Sequence, residues 1–279
     1  MNHPASLPLS AAAASAAQTA SANDDFPPGT VCLIGAGPGD PELITVKGLA
    51  RLQRAEVVLY DHLVDPAVLA LASPSAWRID VGKEASRHTM PQGEINALLI
   101  RQARQGRRVA RLKGGDPFLF GRGGEEVQAL AEAGIPCEVI PGITAACGAA
   151  ARGLIPLTHR DYAQGVSFVT GHRRDGEDEL EWTRHTGAEE TLVIYMGLAE
   201  AARICAELIR HGRPGTTPAA VIERATTPQQ RIVSADLATL PERIAAAGVR
   251  PPALLIIGEV VRLYPTLSAA PTPVAAAPA

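Results

Sequence analysis

Three glycine-bearing stretches supply the residues best suited to bring backbone close to a ligand. They are Gly35-Ala36-Gly37-Pro38-Gly39-Asp40, the run from Lys113-Gly114-Gly115-Asp116 to Gly123-Gly124-Glu125-Glu126, and Pro141-Gly142-Ile143-Thr144-Ala145. Glycine has no side chain to hold a ligand away, so each stretch permits close approach. The first invites a dinucleotide reading, with Asp61 as the acid that would hold a ribose. The spacing resists it: the third glycine of GxGxxG would fall at Asp40. Pro38 also has no N–H for a pyrophosphate, and Pro38 and Pro41 push the helix start past the loop. A flat adenosine-type ligand without phosphates fits better. Asp116 is suited to accept hydrogen bonds from ribose hydroxyls, with capping of the following helix as the plainer role.

These loops need a scaffold that gathers them. Residues 31–34, 57–60, 77–81, 109–112 and 137–140 form short apolar runs, continuous enough to predict strands buried on both faces. Between them Val46, Leu49 and Leu52 recur at helical spacing, as do Ile95, Leu98 and Leu99, and Val127, Leu130 and Ala131. Such alternation predicts a parallel sheet with right-handed crossovers, whose carboxyl edge would collect the three glycine loops. A small-residue helix over 143–153 follows. Beyond it comes a second α/β set, with strands near 166–170, 191–195, 219–223, 231–234 and 254–258 and helices over 199–210 and 237–247. The last strands lie close together, which fits an antiparallel pair. The domain reading is a disordered leader over 1–28, α/β domains over 29–142 and 143–264, and a disordered Ala/Pro-rich tail over 265–279.

Bulk properties narrow the function classes. The chain has 279 residues, 46% hydrophobic and 20% charged, a globular composition. With 26 basic against 29 acidic residues it lacks the basic excess of a nucleic-acid binder. No apolar run reaches the roughly 20 residues of a membrane-spanning helix. The leader lacks the basic start of a secretory signal, and the four scattered cysteines suit free thiols in a reducing, cytoplasmic compartment. His159 and His172 form no ligand set with a nearby Cys or acid, so no metal is expected. The alternatives are an NAD(P)-linked oxidoreductase, which the loop spacing disfavours and which would bind NADPH, and a non-catalytic ligand-binding module.

The motifs, taken together, resemble a known family. RLKGGDPFLFGRGGEE over 111–126, PLTHRDYA over 156–163, GAGPGD, Tyr60-Asp61-His62-Leu63-Val64, Val81-Gly82-Lys83 and Thr170-Gly171-His172 resemble the uroporphyrinogen-III C-methyltransferases among the tetrapyrrole methylases. The resemblance spans about residues 30–264. It implies two α/β domains of that type, with a parallel sheet in the first and a mixed sheet in the second. It implies S-adenosylmethionine as cofactor, S-adenosylhomocysteine as product, and a cleft between the domains of a homodimer. The cofactor contacts carried over are Pro38, Gly114, Gly115, Asp116, Leu119, Thr144, Ala145, Met196, Ala225 and Ala253. On sequence alone Met196 reads as a core methionine. Asp61 resembles the family's proton acceptor and Lys83 its proton donor, with a turn cap and a surface ion pair as their plainer readings. The implied substrate carries eight carboxylates, and Arg111, Arg122 and Arg160 are the candidates to receive them. The implied product is precorrin-2, formed through precorrin-1. With no dehydrogenase domain ahead of it, the chain is expected to be the stand-alone enzyme rather than the fused siroheme synthase.

Overall fold

The computed structural model describes residues 25–82, 90–171 and 181–269. The first domain is built on β1 (Val31–Gly35), β2 (Val57–Tyr60), β3 (Trp77–Asp80), β4 (Val109–Lys113) and β5 (Cys137–Ile140). Helices α1 (Val46–Arg54), α2 (Pro66–Leu69), α3 (Gln92–Arg104) and α4 (Gly123–Glu132) join them. The strands form one sheet in the order β3-β2-β4-β1-β5, all parallel. Apolar side chains fill both faces. Cys32, Ile34, Val58 and Leu112 lie on one, and Leu33, Leu59, Leu99 and Leu130 on the other.

The strand order corrects one expectation. β3 lies at the sheet edge and is largely exposed, Trp77 at 55%. β5 is the opposite edge and only Ile140 is fully buried. Two helical faces also turn differently. Val46 and Ala131 are exposed, and α1 buries Gly48, Arg51 and Leu52 instead. The core begins earlier than composition suggests: Phe26 is fully buried and Asp25 pairs with Arg51 through a 2.5 Å contact. At the other end a short helix, Tyr264–Ser268, extends past residue 264.

Helix α5 (Ala145–Gly153) leads into the second domain. There β6 (Gly165–Thr170), β7 (Glu190–Tyr195), β8 (Pro218–Glu223), β9 (Arg231–Asp236) and β10 (Ala253–Ile257) form a sheet in the order β6-β7-β10-β8-β9. β6 and β7 are parallel; β10 runs antiparallel to β7 and β8, and β9 to β8. Helices α6 (Ala201–Arg210) and α7 (Leu240–Ala246) help cover one face. α5 lies over the other, burying Ala146 and Ala149 beside Ile222 and Ile256. The result is two α/β domains, the first sheet parallel and the second mixed.

The domains meet closely. Asp40 N donates to Thr226 Oγ1 at 3.0 Å. A Cβ on Gly148 of α5 would lie 2.4 Å from Pro38 Cγ, so only glycine lets that helix rest on the first loop.

Candidate functional site

Because β4, β1 and β5 are neighbours, the three glycine loops at their carboxyl ends abut one another. Gly115 N donates to Gly37 O at 2.7 Å and Gly37 N to Gly115 O at 3.2 Å, a short antiparallel bridge between two of the loops. The third loop packs without room to spare: a Cβ on Gly142 would sit 2.3 Å from Gly115 O. Asp116 ties the set together. Its Oδ1 accepts from Phe118 N at 2.8 Å and its Oδ2 from Gly142 N at 3.0 Å. The carboxylate is therefore a loop brace first, with lone pairs left for a ligand hydroxyl.

The facing wall comes from the second domain. Tyr195 ends β7, and its Oη lies 2.6 Å from Thr144 Oγ1 while accepting from Ala146 N at 3.1 Å. Burial pushes the Tyr195 phenol above its ordinary range, so it stays protonated. Met196 follows in the left-handed region at φ 53°, and it is 52% exposed, not a core residue. Arg224 (φ 47°) and Thr226 (φ 67°) hold the same conformation in the loop after β8. Non-glycine residues there cost on the order of 1 kcal/mol each, a strain that tends to gather at ligand sites.

A cavity of about 410 Å³ lies between these walls. Pro38, Ala145, Met196, Ala225 and Ala253, all expected cofactor contacts, line it together with His62, Leu63, Tyr195 and Pro252. Gly115 and Thr144 sit just behind Ala145. Gly114, Asp116 and Leu119 lie on the β4 loop outside the lining. A contiguous groove of about 350 Å³ shares Pro38, His62 and Leu63 and runs to Arg224. A larger hollow of about 730 Å³ elsewhere, around Ser234, Asp236 and Arg262, contains none of the expected site residues.

Asp61 lies just beyond β2, directly before the cavity-lining His62 and Leu63. Its Oδ1 accepts from Leu63 N at 3.1 Å, and its Oδ2 is 3.6 Å from Arg111 Nη1. Arg111, expected to receive a substrate carboxylate, is engaged within the protein. It is 4% exposed, and its Nε donates to Glu126 Oε1 at 3.0 Å, because β4 is a central strand and Arg111 faces α4. Lys113 shares Glu126 Oε1 at 3.2 Å; burial and the Arg111 charge hold its ammonium below the usual lysine range. Arg122 is exposed and forks onto Glu125, and Arg160 is exposed. Lys83 and His172 lie outside the described residues. Among the described residues no group of three or more His, Cys, Asp or Glu could hold a metal ion.

Comparison with known proteins adds to this geometry. A family model for tetrapyrrole (corrin/porphyrin) methylases matches residues 30–241. The chain belongs to the tetrapyrrole methylase family. Siroheme synthase of Pseudomonas putida is 56% identical to this methylase over 240 residues, 86% of this chain and 52% of that protein. The chain thus spans about half the length of the curated relatives it matches. Uroporphyrin-III C-methyltransferase of Thermus thermophilus, complexed with S-adenosylhomocysteine, is similar at 46% identity and a TM-score of 0.71. The match covers 84% of this chain and 99% of that one. Cobalt precorrin-4 methyltransferase, an enzyme of cobalamin biosynthesis, has a TM-score of 0.74 at 31% identity, covering 84% and 96%. Fold similarity alone does not separate these two; sequence identity does.

Two residues that the structure brings to this region, one lining the cavity and one behind Asp61, were not among the sequence candidates. Tyr195 sits at a strand end where an aromatic reads as core, although its place directly before Met196 was a usable signal. Glu126, fully buried, stands in a Gly-Gly-Glu-Glu run that reads as a solvated first helical turn.

Proposed function

We propose that this methylase carries methyl groups from S-adenosylmethionine to C2 and C7 of uroporphyrinogen III. The product is precorrin-2, formed by way of precorrin-1, for siroheme or cobalamin synthesis or both. One observation carries the reading. Pro38, Ala145, Met196, Ala225 and Ala253 line a single interdomain cavity in a fold shared, at 46% identity, with an S-adenosylhomocysteine-bound uroporphyrin-III C-methyltransferase. A homodimer in the cytoplasm goes with it.

The residues fit the cofactor. The cavity is of small-ligand size and mostly apolar, lined by small side chains such as Ala145, Ala225 and Ala253 that leave room for a ligand. Pro38 offers no N–H, which suits an adenosine without phosphates. Asp116 has spare lone pairs for ribose hydroxyls, with Gly114, Gly115 and Leu119 beside it. Bound there, S-adenosylmethionine supplies an electrophilic methyl group.

The protein then has two tasks. It must align the electron-rich pyrrole carbon with that methyl group and keep water out. It must also manage the cation left on the macrocycle. A carbon already bearing an acetate arm becomes quaternary and has no hydrogen to lose, so a proton leaves from a ring nitrogen or a bridging carbon. Asp61 Oδ2, which makes no hydrogen bond among the described residues, is the acceptor in this reading, and Lys83 the donor. Arg122 and Arg160, both exposed, receive substrate carboxylates.

Asp61→Asn tests the assignment. It is expected to slow single-turnover methyl transfer by roughly 10²–10⁴-fold while calorimetric affinity for S-adenosylhomocysteine holds. Weakened affinity with normal chemistry would move Asp61 into the cofactor site.

A further inference from the structure

Glu126 is an expensive residue to bury. It is fully inaccessible, and its Oε2 has no hydrogen-bond partner among the described residues. Its Oε1 takes three donors instead: Arg111 Nε at 3.0 Å, Lys113 Nζ at 3.2 Å and Gln92 Nε2 at 3.2 Å. Replacing a buried ion cluster with apolar packing is often neutral or stabilising, so stability alone does not explain this carboxylate.

Its geometry suggests a different task. Arg111 is held at two points, by Glu126 through Nε and by Leu112 O, to which Nη1 donates at 3.1 Å. So held, Nη1 stops 3.6 Å from Asp61 Oδ2. That is too long for a hydrogen bond but close enough for the charges to attract. Asp61 is thus braced by Leu63 N on Oδ1 and, among the described residues, left open on Oδ2. An unrestrained guanidinium beside a carboxylate closes into a two-pronged pair, which would fill Oδ2. Among the described residues, the other charged or titratable groups near Asp61 are Lys113 of β4, itself on Glu126, His62 beside Asp61 in sequence, and Asp80 at the adjoining end of β3.

We propose that Glu126 is a positioning residue: by holding Arg111 it keeps the guanidinium from closing on Asp61, so that Asp61 Oδ2 stays open to take the proton released by the methylated ring. The proposal rests on Asp61 being the proton acceptor, as read above.

The test combines crystal structures with a kinetic cycle. In E126L, which removes the oxygen that Arg111 Nε donates to, the distance from Arg111 Nη1 to Asp61 Oδ2 is expected to fall to hydrogen-bond length, about 3 Å. Single-turnover transfer to uroporphyrinogen III should slow at least about tenfold, with affinity for S-adenosylhomocysteine unchanged. In a D61N background E126L should slow the reaction no further, because its effect runs through Asp61. Should E126L fail to fold, E126D withdraws the carboxylate by one methylene and carries the same measurements. An Arg111 that stays at its wild-type distance overturns the proposal, as does the same fold-slowing in both backgrounds. Wild-type protein that transfers no methyl group to uroporphyrinogen III overturns the functional reading and this role together. An unmoved Arg111 in a protein that does transfer one overturns the positioning role alone.

Discussion

Thr144 Oγ1, where the chain leaves the first domain, and Tyr195 Oη of the second sheet lie 2.6 Å apart. Thr144 stands at the N-cap position of α5 with its hydroxyl turned to Tyr195 rather than to the helix, and Tyr195 ends β7 of the second sheet. The same phenol accepts from Ala146 N, so one side chain pins the first turn of α5 to the end of β7. Phe120 stacks on it at 4.9 Å between ring centroids.

Tyr195→Phe removes this link while keeping the ring. The Ala146 N–H and the Thr144 hydroxyl both lose a partner. Stability is expected to fall by about 1–2 kcal/mol in urea unfolding. Affinity for S-adenosylhomocysteine should fall several-fold, since Ala145 is part of the cavity wall.

Gly142→Ala tests the crossing of the glycine loops. The added methyl would lie 2.3 Å from Gly115 O, a backbone atom that cannot swing aside. A loss of up to about 3 kcal/mol is expected, together with loss of cofactor binding. Gly124→Ala is the control. Its Cβ meets nothing within 4 Å in α4, so thermal stability should hold or rise slightly.

The contrast between those glycines shows how far the chain could be read in advance. The convergence of Gly35, Gly115 and Gly142 was legible, because a parallel sheet gathers its strand-end loops on one edge. Five strands of alternating α/β pattern were legible for the same reason. What could not be read was lateral order. Hydropathy does not say that Trp77 belongs to an edge strand, nor that Arg111 belongs to a central one beneath α4. Phe26 was hidden by its Ala/Ser/Pro-rich surroundings, although its ring fills the core beside Leu52 and Val58. The role of Glu126 depends on three donors drawn from positions 92, 111 and 113, a meeting no local pattern encodes.

Glu138 of β5 gives a pH prediction. Partial burial opposes its ionisation, but hydrogen bonds and charge from Lys47 and Arg51 outweigh that and hold it below the usual carboxylate range. A carboxylate lowered in the folded state adds stability above its unfolded value, and that stability is lost as pH falls through the folded one. Glu138→Gln should therefore cost roughly 1 kcal/mol at pH 7. The gap should close as pH falls below the ordinary glutamate range and through the lowered folded value, in melting curves of the two proteins run side by side.

The central claim is the identity of the methyl acceptor and the number of groups it takes. Incubation with uroporphyrinogen III and excess methyl-labelled S-adenosylmethionine, followed by mass analysis of the macrocycle, measures both. The account predicts a mono-methylated species that forms and disappears, leaving a product with two added methyl groups and two equivalents of S-adenosylhomocysteine. A reaction that stops cleanly at one methyl, or that methylates only a ring already carrying methyl groups, would contradict it.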